Sequence, residues 1–274
     1  MSRISARFAA LKGDNRPGFV AFISAGDPDY GTSLAILKGL PKAGADLIEL
    51  GMPFTDPMAE GPAIQASSLR ALKAGQTMAK TFAMVRAFRE TDTATPIVLM
   101  GYFNPIYSYG AEKFANNAKA AGVDGLIIVD LPPEEDAELR APAKAAGLDL
   151  IRLATPTTDA ARLPAVLEGA TGFLYYVSIT GPTGTKSVNP AEMTAALKRI
   201  KAATSLPVAV GFGIKTEADA KAVAAVADAA VVGSALVAEI SRFTGSDGKV
   251  SPGAAEAVLS LVRKLADAAH NARG

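Results

Sequence analysis

The sequence contains no cysteine, and that absence excludes several kinds of chemistry. Without cysteine there can be no disulfide, no thiolate nucleophile and no cysteine-ligated metal. The single histidine is His270, close to the last residue, Gly274, and we expect it to lie outside the folded body of the protein. A Ser-His-Asp triad needs a histidine within the fold, and a histidine-rich metal site needs more than one. Acid-base chemistry must therefore come from carboxylates, tyrosine or lysine, and we expect no metal site.

An excess of charge and long apolar runs are also missing. The formal net charge is +1, so electrostatics do not favour a nucleic acid or a membrane surface as partner. No apolar run approaches the roughly 20 residues of a membrane-spanning helix. What is present is a chain of 274 residues, 49% of them hydrophobic, and one α/β barrel domain can reach this length. We therefore expect a single cytoplasmic domain over residues 1–274.

Eight apolar segments alternate with helical patterns along the chain. Each segment is continuously apolar rather than alternating, which is typical of parallel strands covered on both faces. The predicted strands are 19–26, 46–52, 96–102, 125–130, 148–154, 172–178, 207–213 and 229–236. The predicted helices are 32–43, 62–74, 77–90, 111–121, 134–146, 159–168, 190–203, 216–227 and 254–269.

This alternation predicts a (β/α)8 barrel. A doubly wound open sheet is the alternative, but the GxGxxG turn of that fold is absent after the first strand, where the sequence is AGDPDYG. Near the N-terminus, Ile4, Phe8 and Leu11 recur at helical spacing. They predict an extra helix over one end of the barrel, although a transit peptide has a similar pattern. Residues 245–253 are predicted to form a loop before the last helix.

Acidic residues are concentrated in and just after the second strand, in the segment DLIELGMPFTDPMAEGP, residues 46–62. Glu49 lies within the apolar strand, and burying a lone charge is unfavourable unless the group is paired or neutralised. Asp56 and Glu60 follow in a proline-containing loop. Two carboxylates in different environments can supply the acid and the base of one site. The alternative is a salt-bridged Glu49 and a solvated turn.

Glycines mark the ends of the last two strands. Gly211 and Gly213 allow backbone N–H groups to approach an anion, while Gly233 and Ser234 precede a helix whose N-terminus favours negative charge. Barrels often bind phosphate at these two loops. The loop after the sixth strand, residues 179–190, is long and rich in glycine and hydroxyl groups, which predicts a lid. The pattern favours a phosphate site over plain tight turns.

Taken together, these motifs resemble the tryptophan synthase alpha chain family. The resemblance is carried by ELGMPFTDPMAEGP, YVSITGPTGTK, GFGI and GSALV, with AFISAGDPD and DLPPEE, and it covers nearly the whole chain. It implies a lyase of tryptophan biosynthesis that splits indole-3-glycerol phosphate by a retro-aldol reaction into indole and glyceraldehyde 3-phosphate. That reaction protonates C3 of the indole ring and removes a proton from the glycerol hydroxyl that becomes the aldehyde.

The resemblance also assigns roles to the acidic residues. Glu49 matches the catalytic acid-base glutamate, and Glu60 stands where the family has an aspartate that hydrogen-bonds the indole N–H. A glutamate carboxylate lies about 1.5 Å further out, and such a displacement can lower a rate by about 100-fold. The alternative is therefore a catalytically impaired subunit that binds ligand and activates the beta chain. Asp56 and Asp130 match residues of loop and lid closure, or Asp130 could be the N-cap of the following helix.

The remaining matches are substrate contacts. Three of them would line the indole and glycerol pocket, or could simply fill the barrel interior: Phe22, Met100 and Tyr175. The others match the lid loop, with Gly184 reaching phosphate, and the phosphate-binding backbone: Thr183, Gly184, Gly213, Gly233 and Ser234.

The resemblance further implies an α2β2 assembly with a tryptophan synthase beta chain. Pyridoxal phosphate would belong to the beta partner, which receives the indole, and this chain would hold no cofactor. Phe54, Ile106 and Tyr107, in the loops after the second and third strands, are predicted to be exposed at the interface, or else to fold back on their own loops. A third hypothesis is a different phosphate-binding barrel enzyme, such as a sugar-phosphate isomerase, which would not need the GMPFTDP segment.

Overall fold

A computed structural model describes residues 1–178, 190–211 and 213–273, and its eight parallel strands close into a barrel in sequence order. This confirms the predicted (β/α)8 architecture. The strands are shorter than predicted at several ends: β1 (Gly18–Ser24), β2 (Leu47–Gly51), β3 (Ile97–Gly101), β4 (Gly125–Ile128), β5 (Asp149–Ala154), β6 (Leu174–Val177), β7 (Val208–Gly211) and β8 (Ala229–Val232).

Twelve α-helices lie in the described part of the chain. Each of β2, β3 and β8 is followed by two helices instead of one. The extra helices do not disturb the closure of the barrel. Among the described residues, no helix combines the length and the apolar character needed to cross a bilayer. The helices are α1 (Arg3–Gly13), α2 (Tyr30–Gly39), α3 (Pro62–Lys73), α4 (Met78–Arg89), α5 (Phe103–Tyr109), α6 (Ala111–Ala121), α7 (Ala137–Ala145), α8 (Leu163–Leu167), α9 (Pro190–Ala203), α10 (Glu217–Val226), α11 (Ser234–Arg242) and α12 (Ala254–His270).

The segment after β3, predicted as a loop, forms α5. Its first N–H, from Phe103, donates to Oδ1 of Asp130 at 2.8 Å, so an acid beyond the end of β4 satisfies a helix donor that has no partner within the helix. Asp130 therefore caps α5 and not the helix that follows it in sequence. Ile106 is fully buried, so its predicted exposure was wrong, whereas Tyr107 is 60% exposed.

Helix α1 covers the N-terminal end of the barrel, as predicted. Ile4, Phe8 and Leu11 are buried against inward-facing side chains of the strands. The ring centroids of Phe8 and Phe173 lie 5.5 Å apart. Because α1 fills this end with apolar side chains, a ligand must enter from the opposite end, where the carboxyl ends of the strands meet.

A reciprocal hydrogen-bond pair repeats four times at the N-terminal end. In each case a residue shortly before an even-numbered strand donates its N–H to a carbonyl in the preceding odd-numbered strand. The side-chain oxygen of that residue accepts, at 2.8–2.9 Å, the N–H of the strand residue whose carbonyl takes part in the first bond. We call these four arrangements the strand-pair clamps: Phe19–Asp46, Ile97–Asp124, Leu150–Thr171 and Val208–Asp228.

His270 lies at this end and within the fold, so the expectation that it lies outside was wrong. It occupies the last turn of α12, which packs against α2 and α10. Its Nε2 is 2.8 Å from Oδ2 of Asp46. The side chain is therefore joined to a strand-pair clamp, at the end of the barrel away from Glu49.

Candidate active site

Glu49 carries its carboxyl group into the barrel from the middle of β2. Its strand neighbours are Phe22 of β1 and Val98 of β3, and its exposed fraction is 1%. Neither carboxyl oxygen has a hydrogen-bond partner among the described residues. Burial, and to a smaller extent the charge of Glu60, raises the pKa of Glu49 to about 8. The group is therefore mostly protonated at neutral pH and can act as a general acid.

Glu60 ends the loop between β2 and α3. Gly61 is the N-cap of α3 and Pro62 its first residue, so the helix begins directly after Glu60. The side-chain amide of Gln65 donates to the Glu60 carbonyl at 2.8 Å. Burial raises the pKa of the Glu60 carboxyl to about 7. At neutral pH a large fraction of the Glu60 carboxyl is therefore ionised and can accept a hydrogen bond.

Both carboxyl groups line one cavity at the C-terminal end of the barrel. Its empty volume is about 650 Å³, including the part open to solvent. The wall brings together the predicted pocket and phosphate residues that lie in the described part of the chain. The lining residues are Phe22, Glu49, Glu60, Ile64, Met100, Tyr175, Val177, Gly211, Gly213, Val231, Gly233 and Ser234.

Tyr175 reaches into this cavity from β6, the strand beside β7. A Cβ atom at Gly211 would overlap the Tyr175 ring and hydroxyl, so glycine at that position is what allows the ring to lie there. Burial, together with the charges of Glu49 and Glu60, raises the pKa of Tyr175 well above its ordinary value. The hydroxyl consequently stays protonated and can donate a hydrogen bond.

Backbone at the ends of β7 and β8 forms another part of the cavity wall. Gly213 has a left-handed conformation, with φ 62°, which glycine adopts readily. A Cβ at Gly233 would lie 3.3 Å from Phe22, tighter than ordinary contact. Ser234 begins α11, whose first N–H groups have no partner within the helix and favour an anion. No lysine or arginine lines the described part of this cavity.

An adjoining cavity extends from this site toward the ends of β4 and β5. It shares Glu60, Met100, Tyr175 and Val177 with the first cavity. Part of its wall is apolar, including Val129 and Leu153, and the rest is polar, including Arg152, Asp159 and Arg162. An apolar wall continuous with two carboxyl groups suits a flat aromatic ring that carries one polar N–H.

Two predicted residues in the described part of the chain, Asp56 and Asp130, do not line the cavity of Glu49. Asp56 is exposed in the loop, beside the hydroxyl of Thr55, and Asp130 is exposed and caps α5. Thr183 and Gly184 lie outside the described residues. Within the part of the chain that the structure describes, no group of three or more His, Cys, Asp or Glu residues is arranged to hold a metal ion.

Three cavity residues were missed in the sequence: Ile64, Val177 and Val231. A signal existed for the last two. Val177 is two residues after Tyr175, and Val231 is two before Gly233, and alternate residues of a strand share a face. Ile64 lies in the first turn of α3, and no sequence pattern shows which way that turn faces.

Comparison with known proteins gives one consistent family. The model of the family described as tryptophan synthase alpha chain matches residues 8–270. Tryptophan synthase subunit alpha from Legionella pneumophila str. Paris is 41% identical, with a TM-score of 0.90 and 99% of each chain covered. A chain from Aquifex aeolicus VF5 is 34% identical, with a TM-score of 0.88 over 98% of this chain and 99% of that one. Tryptophan synthase from M. tuberculosis is 31% identical, with a TM-score of 0.86 and the same coverage.

Proposed function

Because the chain belongs to the tryptophan synthase alpha chain family, we propose how its barrel mouth performs the reaction of that family. The chain is a lyase of tryptophan biosynthesis that cleaves indole-3-glycerol phosphate to indole and glyceraldehyde 3-phosphate. The observation that carries the proposal is the cavity itself: two carboxyl groups with raised pKa values face a glycine-lined helix N-terminus. An acid, a base and an anion site are thereby combined.

Glu49 is the acid-base group. In its protonated form it donates a proton to C3 of the indole ring. The resulting carboxylate takes the proton of the glycerol hydroxyl as the carbon–carbon bond breaks and the aldehyde forms. One proton leaves the group and one returns, so Glu49 is restored at the end of the cycle. Its apolar surroundings make this exchange favourable near neutral pH.

Glu60 stabilises the ring during this step. As a carboxylate it accepts a hydrogen bond from the indole N–H, and its negative charge offsets the positive charge that develops when C3 is protonated. Phe22, Met100 and Tyr175 form the walls around the reacting bond. The indole ring extends along the apolar part of the adjoining cavity wall.

The phosphate lies on the backbone wall. Gly213, Gly233 and Ser234 offer N–H groups there, supported by the α11 dipole. The family resemblance adds Thr183 and Gly184 of the loop 179–190, with Gly184 at the phosphate. It also assigns Asp56 and Asp130 to closure of the mouth. The proposal needs no cofactor in this chain.

Indole release from indole-3-glycerol phosphate tests the role of Glu49. Glu49→Gln removes the transferable proton and keeps the shape, so we expect kcat to fall by about 100-fold or more. Glu112→Gln, an exposed carboxylate in the first turn of α6, is the matched control and should retain the rate. An unchanged rate in Glu49→Gln would refute the assignment.

Glu60→Asp separates a working lyase from an impaired activator subunit. We expect the variant to turn over substrate no faster than the natural chain, because the cavity already accommodates the longer side chain beside Glu49. A gain of tenfold or more would favour the activator hypothesis. No feature of the comparisons favours that alternative.

We further propose that this chain functions in the cytoplasm as the alpha half of an α2β2 assembly, in which the beta chain binds pyridoxal phosphate and receives the indole. Met58 and Tyr107 support the contact, since they are 83% and 60% exposed in the loop after β2 and in the helix after β3. Light scattering of the mixed chains should give the mass of the tetramer. Met58→Asp should weaken assembly, and Asn116→Asp on α6 should not; equal binding by both variants would contradict this surface.

A further inference from the structure

Tyr102 joins the third strand to the loop that carries Glu60. It directly follows β3 as the N-cap residue of α5 and is 3% exposed. Its hydroxyl oxygen accepts the backbone N–H of Ala59 at 2.9 Å. Its ring centroid lies 5.5 Å from that of Phe54. One side chain therefore contacts the loop 52–61 near both of its ends.

The backbone hydrogen bonds of Glu60 itself remain within the loop or reach α3. Its N–H donates to the Pro57 carbonyl at 3.0 Å, and its carbonyl accepts from Gln65 of α3. These bonds fix the local shape of the backbone. Neither of them ties the segment before Glu60 to a barrel strand.

The C-terminal side of the loop is held through α3. Asp27, which follows β1 and is fully buried, accepts from the Ser67 hydroxyl at 2.7 Å and from two nitrogens of Arg70 at 2.7 and 2.9 Å. The helix that begins just after Glu60 is thus tied to the end of β1. On the N-terminal side of Glu60, the corresponding tie to the barrel is the hydroxyl of Tyr102, which directly follows β3.

We propose that Tyr102 is a positioning residue that sets the location of the Glu60 carboxylate through its hydrogen bond with the Ala59 N–H. This inference rests on the proposed role of Glu60 as the partner of the indole N–H. A displacement of about 1 Å at such a group can lower a rate by up to about 100-fold. Burial, with the charge of Glu60, raises the pKa of Tyr102 to about 12, so the hydroxyl keeps its proton throughout the neutral range.

Tyr102→Phe removes the acceptor of the Ala59 N–H and keeps the ring against Phe54. We expect kcat for indole release to fall about tenfold, while KM changes less than threefold because the phosphate wall is untouched. Tyr109→Phe is the matched control, since the Tyr109 hydroxyl accepts a hydrogen bond of 2.8 Å from Asn117, between α5 and α6. The control should retain kcat, and thermal unfolding of both variants verifies folding.

A double-mutant cycle with Glu60→Gln decides whether Tyr102 acts through Glu60. With Glu60 absent there is no carboxylate to position, so Tyr102→Phe should then change kcat by less than twofold. A tenfold loss in both backgrounds, or no loss in either, would overturn the inference. A different result bears on the proposed function: if Glu60→Gln alone retains full activity, the role of Glu60 is wrong whatever Tyr102 does.

Discussion

Glu49 and Glu60 must be in opposite ionisation states for the proposed reaction to begin. Glu60 loses its acceptor charge when it protonates below a pKa of about 7, and Glu49 loses its proton above a pKa of about 8. We therefore expect kcat/KM to be bell-shaped in pH, highest between about 7 and 8. Steady-state rates from pH 5.5 to 9.5 measure this. Glu60→Gln should lose the acid limb, and an acid limb retained in that variant would show that another group causes it.

The same burial that suits Glu49 to acid-base chemistry reduces the stability of the fold. Its pKa rises on folding from 4.5 to about 8. Protonated Glu49 therefore does not lower the free energy of unfolding below pH 4.5, and the free energy of unfolding falls as the pH rises toward 8. At pH 7 the loss is on the order of 3 kcal/mol, at 1.36 kcal/mol per pH unit. Glu49→Gln should therefore be more stable than the natural chain at pH 7 and equally stable at pH 4. Urea unfolding at both values measures this, and a difference independent of pH would contradict it.

Among the elements, the strands were predictable and α5 was not. Most strand residues are buried, so the strand sequences are mainly apolar, and that pattern is local. Helix α5 begins with Phe-Asn-Pro, which resembles a turn, and the acceptor for its first N–H is Asp130, in the turn after β4. No pattern in a short stretch of sequence indicates a contact between residues 27 positions apart. The hydrogen bond between the Tyr102 hydroxyl and the Ala59 N–H could not be inferred for the same reason.

Substitutions at Asp130 can separate its capping of α5 from the role in lid closure that the family resemblance assigns. Asp130→Ala removes the acceptor of the Phe103 N–H and should destabilise the protein by about 1 kcal/mol. Asp130→Asn keeps an acceptor oxygen and should retain most of that stability. Urea midpoints of the two variants test the cap. If both variants lose the same stability, the hydrogen bond to α5 is not what matters.

Glu49, at the C-terminal end of the barrel, differs from the buried acids at the N-terminal end. At the C-terminal end, Glu49 is buried without a described partner and has a raised pKa. At the N-terminal end, Asp46 and Asp124 are buried with arginine partners. Burial raises the pKa of Asp46, but hydrogen bonds from His270, Arg16 and the Phe19 N–H, with the charge of Arg16, together outweigh it and lower that pKa. The barrel rule was enough to predict which end would carry the chemistry. The clamps were not predictable, because each joins residues about 20 or more positions apart.

The four strand-pair clamps should differ in strength according to what lies behind them. Asp124 also pairs with Arg3 and with Arg89, whose side chain is only 10% exposed. Asp124→Ala therefore leaves a buried cation without its partner and should cost about 3–5 kcal/mol. Thr171 carries no charge, so Thr171→Val leaves one buried N–H, that of Leu150, unpaired and should cost about 1–3 kcal/mol. Equilibrium urea unfolding at pH 7 compares them. Equal losses would mean that the hydrogen bond from the strand N–H to the side-chain oxygen, and not the ion pairs behind it, determines the strength of a clamp.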